Sequence, residues 1–293
     1  MSWFELQQQL AHIARLQLFF IGGAPRSGTT WLQQMLNAHP EVSCRGEALL
    51  QKHLGEPLET MMAARAESLA AKNTTLFQHT GGYPLPVPED TEHLFGTGVL
   101  LALLRQGVDP DCRAIGEKTP ENVFFFARLK KLFPQAKFIG IARDPRDVLA
   151  SAWHFFNKNH GAVVDDAAAK QEFIRSALPS LHQGAEAMLA LAKQFPADSV
   201  TVTYEALLAA PDITLSQLFG FLGVASDTQT VAGCLAHTSF AAQTGGRPRG
   251  AAQNGAFLRN GLAGDWQSVL TAEMNDMVLE KLGWMFPHFG WRG

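Results

Sequence analysis

The chain has 293 residues, a formal net charge of −3 at pH 7 and 46% hydrophobic residues. This length and apolar share predict a single α/β domain over residues 1–293 with a sizeable core. The charge balance gives a nucleic-acid partner no electrostatic support, and no apolar run is long enough for a transmembrane segment. Cys44, Cys112 and Cys234 are odd in number and widely spaced, which argues against a disulfide scaffold or a zinc site. We therefore expect a cytoplasmic protein.

The first half of the chain predicts helices that alternate with strands. Residues 1–16 are expected to form a helix and residues 18–21 a buried strand. A Gly/Pro loop follows and opens a helix that ends near His39. Residues 48–72 are helical in composition. The three prolines and two glycines of 80–88 predict a surface loop or a cap over a site.

The second half predicts further strand–helix units. A helix is expected to begin near 99–104, and residues 138–142 form a buried strand followed by a helix that opens at Asp144. Residues 199–203 are a third β-type run, and 241–264 are rich in Gly, Ala, Gln and Arg, which predicts a mobile lid. Because helical stretches separate the strands, the chain predicts a parallel sheet with helices on both faces.

The loop after the first strand predicts an anion site. Strand, glycine loop and helix N-terminus bring backbone N–H groups and the helix dipole to one point. Gly23 and Gly28 keep the G-x-x-x-x-G spacing of nucleotide-triphosphate loops, but Thr29 replaces the lysine of that motif and Arg26 lies inside the loop. The site is therefore expected to bind a phosphate-like group other than the triphosphate of ATP or GTP, unless the motif is an accidental Gly-rich turn.

A second cationic position follows the strand at 138–142. Arg143 is placed at the carboxyl end of that strand, where ligands of open parallel sheets bind, and Ser151 lies on the helix that follows. For Arg146 the simpler interpretation is salt bridging at the helix start to Asp144 and Asp147. Two separate anion sites suit a nucleotide that is phosphorylated at two positions.

Together these motifs resemble the sulfotransferases that use 3′-phosphoadenosine 5′-phosphosulfate (PAPS). The resemblance implies a P-loop-like parallel β-sheet flanked by helices on both faces, a helical or loop cap over the acceptor site at about 48–110, and a cofactor lid at about 241–266. It also implies that Arg143 and Ser151 bind the 3′-phosphate. The first-loop residues that it assigns to the 5′-phosphosulfate are Arg26, Ser27, Gly28, Thr29, Thr30 and Trp31.

The segment 257–266 resembles the R-K-G-x-x-G-D-W lid of the same family. The resemblance implies that Arg259 meets the 3′-phosphate and that Gly261 gives a backbone contact. Asn260 departs from the usual lysine, which is one of the electrostatic contacts of that lid. The T-Y-E sequence that contains Tyr204 resembles the family motif whose tyrosine lies near the adenine, although a core aromatic is an equal alternative.

The general base is assigned from the tyrosylprotein branch of this family. Sulfotransferases of phenols and steroids carry a K-T-H motif whose histidine is the base. This chain reads Lys118-Thr119-Pro120 at that place, so a proline replaces the histidine. The tyrosylprotein branch uses a glutamate in a P-R-S-G-T-T … H-P-E-V-x-C-G-E-E pattern, and Glu47 has the offset of that glutamate from Arg26. Glu47 is thus implied as the base, with Lys118 at the sulfuryl group or bridging oxygen and Arg26 facing Glu47 across the loop.

Simpler interpretations of these residues stay open. Glu47 could be a surface or helix-capping glutamate, and Lys118 a solvated lysine. Glu41 is closer to the capping interpretation. His39 precedes a proline and is expected to be a structural hydrogen-bond partner, whereas His79, beside the cap loop, is the reserve base.

The implied reaction is in-line transfer of a sulfuryl group from PAPS to an acceptor hydroxyl or amine, with release of adenosine 3′,5′-bisphosphate (PAP) and without a metal. The acceptor stays open between a small molecule, a carbohydrate, a lipid alcohol and a peptide tyrosine, and a homodimer is compatible with the sequence. The alternatives are a P-loop-type nucleotide kinase or NTPase, and a catalytically silent nucleotide-binding protein.

Overall fold

A five-stranded, entirely parallel sheet forms the centre of the molecule, in the strand order β2-β3-β1-β4-β5. The computed structural model describes residues 1–158, 166–251 and 260–292. The strands are β1 (Gln17–Gly23), β2 (Val42–Ser43), β3 (Ala114–Lys118), β4 (Lys137–Ala142) and β5 (Ser199–Thr203).

Helices connect the strands and cover both faces of the sheet, as the sequence predicts. The α-helices are α1 (Trp3–Ile13), α2 (Thr29–Asn37), α3 (Glu56–Thr75), α4 (Pro88–Arg105), α5 (Phe126–Leu132), α6 (Pro145–Lys158), α7 (Ala167–Gln194), α8 (Tyr204–Ala209), α9 (Pro211–Leu222), α10 (Thr228–His237), α11 (Phe240–Gln243), α12 (Ala272–Leu282) and α13 (Met285–Phe289). A π-helical turn (Gln51–Gly55) leads into α3, and 3₁₀ turns occupy Pro120–Phe124 and Asp265–Ser268. No helix in the described part of the chain is long and apolar enough to cross a membrane.

The central strand β1 supplies alternate side chains to two separate cores. Phe19 and Ile21 pack on one face with residues of α2 and α9, whereas Leu18 and Phe20 pack on the other face with residues of α4, α5 and α7. All four side chains are buried. Successive residues of a strand point to opposite faces, so a continuous apolar run is the sequence pattern of a strand covered on both sides.

The predicted strands at 18–21, 138–142 and 199–203 are confirmed. In the structure the first is three residues longer, the second is one residue longer and the third has the predicted bounds. The strands β2 and β3 escaped prediction because β2 is two residues long and β3 ends in Glu-Lys. The helix expected near 99–104 begins earlier, at Pro88, where Pro occupies the first turn and Asp90 accepts a hydrogen bond from the backbone N–H of Val87 at 3.0 Å.

Candidate active site

Each strand of the sheet places one predicted residue at the same edge. Arg26 follows β1, Glu47 follows β2, Lys118 ends β3, Arg143 follows β4 and Tyr204 follows β5. The carboxyl ends of parallel strands meet at one edge of the sheet, where ligands of open α/β folds bind. The sheet order therefore brings together residues that are far apart in the sequence.

The loop between β1 and α2 has a backbone that requires glycine at its end. Gly28 precedes α2 with a φ of +98°, and a Cβ there would lie 2.7 Å from a ring carbon of Tyr204. The first N–H groups of α2, from Thr29 onward, have no intrahelical partner because no helical turn precedes them, and Gly28 offers no side chain to cap them. These free donors and the helix dipole give the start of α2 the partial positive charge that the predicted anion site requires.

A cleft opens at this edge of the sheet. It gathers most of the residues that the sequence assigned to a nucleotide. The predicted residues that line it are Arg26, Gly28, Thr29, Thr30, Trp31, Arg143, Ser151, Tyr204, Asn260 and Gly261. The lining residues that the sequence analysis missed are Phe240, Gln243, Arg249, Leu262 and Asp265.

Arg26 and Arg143 concentrate positive charge in this cleft. Nε of Arg26 donates to Oγ of Ser151 at 3.3 Å, and its guanidinium carbon lies 4.6 Å from the ring centroid of Phe155. Burial, together with the neighbouring Arg143, lowers the pKa of Arg26 to about 10. Arg26 is still protonated at neutral pH, so the cleft presents two cations to an anionic ligand.

Arg143 also forms hydrogen bonds to two segments on different sides of the cleft. Its Nη1 donates to the carbonyl oxygen of Arg26 at 3.1 Å, and its Nη2 donates to that of Leu262 at 3.0 Å. Its Nη2 lies 3.7 Å from a carboxylate oxygen of Asp147. Arg143 thereby links the loop after β1 to the C-terminal segment that covers the cleft. We call the described residues 240–251 and 260–266 the covering segment.

The C-terminal segment is anchored on the start of α6. Buried Asp147 accepts hydrogen bonds from the backbone N–H groups of Gly264 at 2.8 Å and Trp266 at 3.0 Å. Arg146 pairs with Asp144 at 2.7 Å and lies over the Trp266 ring. The structural interpretation of Arg146 is therefore confirmed for its pairing with Asp144, whereas Asp147 holds the covering segment.

Tyr204 is a buried aromatic residue that also lines the cleft. It is buried, and its ring meets that of Trp31 edge-on at a centroid distance of 5.7 Å. The guanidinium carbon of Arg143 lies 4.3 Å from the Tyr204 ring centroid. Burial raises the pKa of the Tyr204 hydroxyl. Tyr204 is a core aromatic that forms one wall of the cleft.

Glu47 faces Lys118, and the expectation that Arg26 lies opposite Glu47 is corrected. Lys118 Nζ forms an ion pair with Glu47 and donates to Oγ1 of Thr30 at 3.1 Å. The Lys118 side chain is 2% exposed and that of Glu47 is 43% exposed, so the alternative of a solvated Lys118 is wrong. Lys118 meets Glu47 because β2, which precedes Glu47, pairs with β3. It reaches Thr30 because β3 also runs beside β1, with Lys118 opposite Ile21 just before the loop. Arg26 is directed instead toward Ser151.

A buried glutamate that the sequence analysis did not select holds the Glu47 segment in place. Glu117 accepts hydrogen bonds from the backbone N–H of Ala48 at 2.8 Å, from the hydroxyl of Thr119 at 2.5 Å and from the side-chain amide of Asn122 at 2.6 Å. Oγ1 of Thr119 in turn accepts from the backbone N–H of Leu49 at 3.2 Å. Burial raises the pKa of Glu117, and these hydrogen bonds oppose that rise.

Glu117→Ala is expected to lower the free energy of unfolding by about 2–4 kcal/mol, because it leaves the buried donors of Thr119 and Asn122 and the backbone N–H of Ala48 without their acceptor. Urea unfolding followed by circular dichroism measures the change. The matched control is Glu121→Ala, since Glu121 is exposed and its loss should change stability by less than about 0.5 kcal/mol. Equal midpoints for the two variants would contradict the structural role of Glu117.

Two predicted cofactor residues are absent from the cleft lining described above, for different reasons. Arg259 lies outside the described residues. Ser27 is fully buried beside Gly23 and does not line the cleft. Its Oγ has no hydrogen-bond partner among the residues that the structure describes.

The other acid–base candidates have structural partners or lie away from the cleft. His39 is buried, with Nε2 2.8 Å from the carbonyl oxygen of Ala225, and its Nδ1 accepts from the backbone N–H of Glu41. Glu41 accepts from the backbone N–H of Ala225 at 2.8 Å. His79 and the residues of 80–88 do not line the cleft. Glu47 does not line the cleft either, but it pairs with Lys118, which contacts Thr30 of the cleft, so it stays the predicted base. His39 is the structural partner that the sequence indicates.

The fold and the cleft define an α/β protein whose parallel sheet carries, at its carboxyl edge, a cleft lined by a helix N-terminus and arginine side chains. The sequence profile described as "Sulfotransferase family" matches residues 19–228, and the chain belongs to that family. It is 27% identical over 216 residues to protein-tyrosine sulfotransferase 2 of Gallus gallus, covering 73% of this chain and 53% of the relative. It is 28% identical over 214 residues to protein-tyrosine sulfotransferase 1 of Danio rerio, covering 71% and 54% respectively.

The chain thus spans about half the length of these two relatives. Among solved structures, it resembles mouse sulfotransferase SULT7A1 complexed with PAP. The TM-score is 0.56 at 15% sequence identity, with 98% of this chain and 91% of that chain covered. This similarity confirms the fold that the sequence predicts.

Proposed function

We propose that this protein transfers a sulfuryl group from PAPS to an acceptor hydroxyl and releases PAP. The observation that carries the proposal is a single cleft that joins the N-terminus of α2 and Arg26 to Arg143 and Ser151. Such an arrangement suits a nucleotide with phosphate groups at two positions, because each anion meets its own donors. Membership of the sulfotransferase family and the PAP complex of a protein with the same fold support the assignment.

The residues of the cleft fit this donor. The α2 N-terminus and the hydroxyls of Thr29 and Thr30 supply donors for the phosphosulfate end. Arg143 and Ser151 supply donors for the phosphate on the ribose, and Tyr204 with Trp31 gives an aromatic wall for the base.

In the proposed mechanism, Glu47 takes the proton of the acceptor hydroxyl while that oxygen attacks sulfur in line. PAPS supplies the sulfuryl group, whose bond to the phosphate oxygen breaks as the bond to the acceptor oxygen forms. Lys118 and Arg26, with the N–H groups of α2, stabilise the negative charge that develops on the leaving oxygen. Lys118 lies between Glu47 and Thr30, which places the base and the electrophilic cation next to each other.

The acceptor is proposed to carry a hydroxyl group, because a carboxylate base beside a cation suits deprotonation of an alcohol or phenol. The relatives reported above are named protein-tyrosine sulfotransferases, so a tyrosine-containing peptide belongs in the first acceptor panel. Because one fold can serve different acceptors, the panel also includes sugars, lipid alcohols and small phenols.

The direct test is incubation with isotopically labelled PAPS and this acceptor panel, scored by mass spectrometry with and without EDTA. Formation of a sulfated product and PAP in the presence of EDTA supports the proposal. Preferential binding of magnesium–ATP over PAP would favour the kinase or NTPase alternative. Binding of PAP without transfer to any acceptor class would favour a silent nucleotide-binding protein.

Arg143→Ala is expected to raise the Kd for PAP by roughly 10-fold to 100-fold, while the Kd for adenosine 5′-phosphate changes far less. The reason is the loss of a charged donor to the phosphate on the ribose. Isothermal titration calorimetry with both nucleotides measures the change, and Arg143→Lys, which keeps the charge, should recover part of the affinity. Equal weakening of both nucleotides would place Arg143 elsewhere in the site.

A further inference from the structure

Glu47, the proposed base, lies in a segment that has neither helix nor strand. Residues 44–49 connect β2 to the π-helical turn, and side chains of other elements hold their backbone. The N–H groups of the first two residues donate to Asn37, at the end of α2, and to Gln106, after α4, both at 2.8 Å. These contacts fix the start of the segment. The position of the Glu47 carboxylate also depends on what holds the residues that follow it.

The end of β3 holds that second part of the segment. Lys118 pairs with the Glu47 carboxylate. Glu117 and Thr119, which are alternate residues of an extended chain and so share a face, accept hydrogen bonds from the backbone N–H groups of residues 48 and 49 at 2.8 and 3.2 Å. The Thr119 hydroxyl donates to Glu117 at 2.5 Å. One hydroxyl thus accepts from the segment and donates to the buried glutamate that also holds it.

The residue that Thr119 holds has an unfavourable backbone conformation. Leu49 has a φ of +50°, in the left-handed region that a side chain with a Cβ rarely adopts. In the part of the chain that the structure describes, Arg26, with a φ of +73°, is the only other non-glycine residue with a positive φ. Such conformations persist where surrounding contacts hold them, and they cluster at functional sites. Both of these residues lie in segments that carry proposed catalytic groups.

Pro120 restricts the backbone of Thr119 in turn. A residue that precedes proline is confined to extended conformations, and Thr119 has a φ of −124° and a ψ of 130°. Its side chain is buried. The proline that stands in place of the histidine of the K-T-H motif therefore keeps Thr119 extended, in line with β3, with its hydroxyl directed at the backbone of the Glu47 segment.

We propose that Thr119 is a positioning residue for the base, whose hydroxyl holds Leu49 in the left-handed conformation and so keeps the Glu47 carboxylate beside Lys118. This inference rests on the proposed function, in which Glu47 takes the proton of the acceptor. Thr119 does not line the nucleotide cleft, so its effect on the reaction passes through the Glu47 segment. Displacing a catalytic group by about 1 Å costs up to roughly 100-fold in rate.

The test compares three variants of Thr119. Thr119→Val and Thr119→Ala lose the hydroxyl, whereas Thr119→Ser keeps it. The alanine and serine variants lack the same methyl group and differ only in the hydroxyl, so this pair decides the test if the valine variant does not fold. The valine and alanine variants should lower kcat by roughly 10-fold to 100-fold, and the serine variant by less than about threefold. The Kd for PAP should change by less than about threefold in all three.

Steady-state turnover of labelled PAPS with the best acceptor measures kcat, calorimetric titration measures the Kd for PAP, and thermal unfolding confirms that each variant is folded at the assay temperature. The matched control is Thr214→Val. Thr214 is a buried threonine of α9 whose hydroxyl donates to the carbonyl oxygen of Ala210 at 2.9 Å, and it does not line the cleft. Its loss should leave kcat unchanged.

A double variant separates positioning from a merely structural role. A residue that acts through Glu47 has nothing to position once that base is removed. In the Glu47→Gln background, Thr119→Ala should therefore lower the residual single-turnover rate by less than about threefold, whereas a structural role would lower it by the same factor in both backgrounds.

Three results would overturn the inference and leave the proposed function intact. They are equal losses in the two backgrounds, wild-type kcat in Thr119→Ala, and a serine variant as impaired as the alanine variant. A wild-type chain that forms no sulfated product with any acceptor would instead overturn the proposed function.

Discussion

Glu47→Gln is expected to lower kcat by roughly 100-fold to 10,000-fold, the range that general-base catalysis contributes. The amide keeps the size of the side chain and a hydrogen-bonding oxygen, but it cannot take a proton from the acceptor. Because Glu47 does not line the nucleotide cleft, the Kd for PAP should change by less than about threefold. Steady-state turnover of labelled PAPS, together with calorimetric titration of PAP, separates these two effects.

The matched control is Glu41→Gln. Glu41 and Glu47 flank β2. Glu41 accepts a hydrogen bond from the backbone N–H of Ala225 and lies near Arg113, so we expect its role to be structural. Its loss should alter stability and leave kcat unchanged. If Glu47→Gln retained wild-type turnover with the best acceptor, Glu47 would have no part in proton transfer.

The sequence predicted those parts of the fold in which local pattern and burial agree. The runs at 18–21 and 138–142 are apolar without interruption because both faces of β1 and β4 are covered. The strand β3 reads Ala-Ile-Gly-Glu-Lys and looks exposed at its end, yet Glu117 and Lys118 are both buried. Lys118 pairs with Glu47 and Glu117 accepts from the backbone N–H of Ala48, and no local sequence pattern predicts these contacts between distant segments.

In the site, too, the sequence predicted the residues that lie in local motifs and missed the contacts that depend on the tertiary fold. Loop motifs identified Arg26, Thr30 and Arg143 because a glycine loop and a strand end have recognisable spacing. The pairing of Glu47 with Lys118 depends on β2 and β3 being neighbours, and the backbone N–H of Lys118 reaches the carbonyl oxygen of Gly46 at 3.3 Å. Arg249 carries no local signal, since only the folding of the covering segment places it over Trp31.

Lys118→Met is expected to lower kcat by roughly 100-fold to 1,000-fold, the cost of removing one preorganised donor from a developing negative charge. Methionine fills nearly the same volume in this buried position, and Glu47, at 43% exposure, stays solvated without its partner. The fold should therefore tolerate the change. Single-turnover measurements at saturating PAPS isolate the chemical step, and thermal unfolding checks that the protein is intact.

Lys130→Met is the control for loss of a buried lysine. Lys130 pairs with Asp198, which follows α7 and precedes β5, and it does not line the cleft. That variant should lose stability and keep its turnover. Wild-type single-turnover rates for Lys118→Met would remove this lysine from the stabilisation of the leaving oxygen.

The double variant Glu47→Gln, Lys118→Met decides whether the ion pair acts as a unit. Lys118 orients the Glu47 carboxylate and contacts Thr30 at the same time, so removing either residue also displaces the other. The double variant should then lose little more activity than the worse single variant, because residues of one catalytic unit have strongly non-additive effects. Multiplied losses would assign proton transfer and leaving-group stabilisation to independent groups, and the ion pair would then be a feature of folding rather than of catalysis.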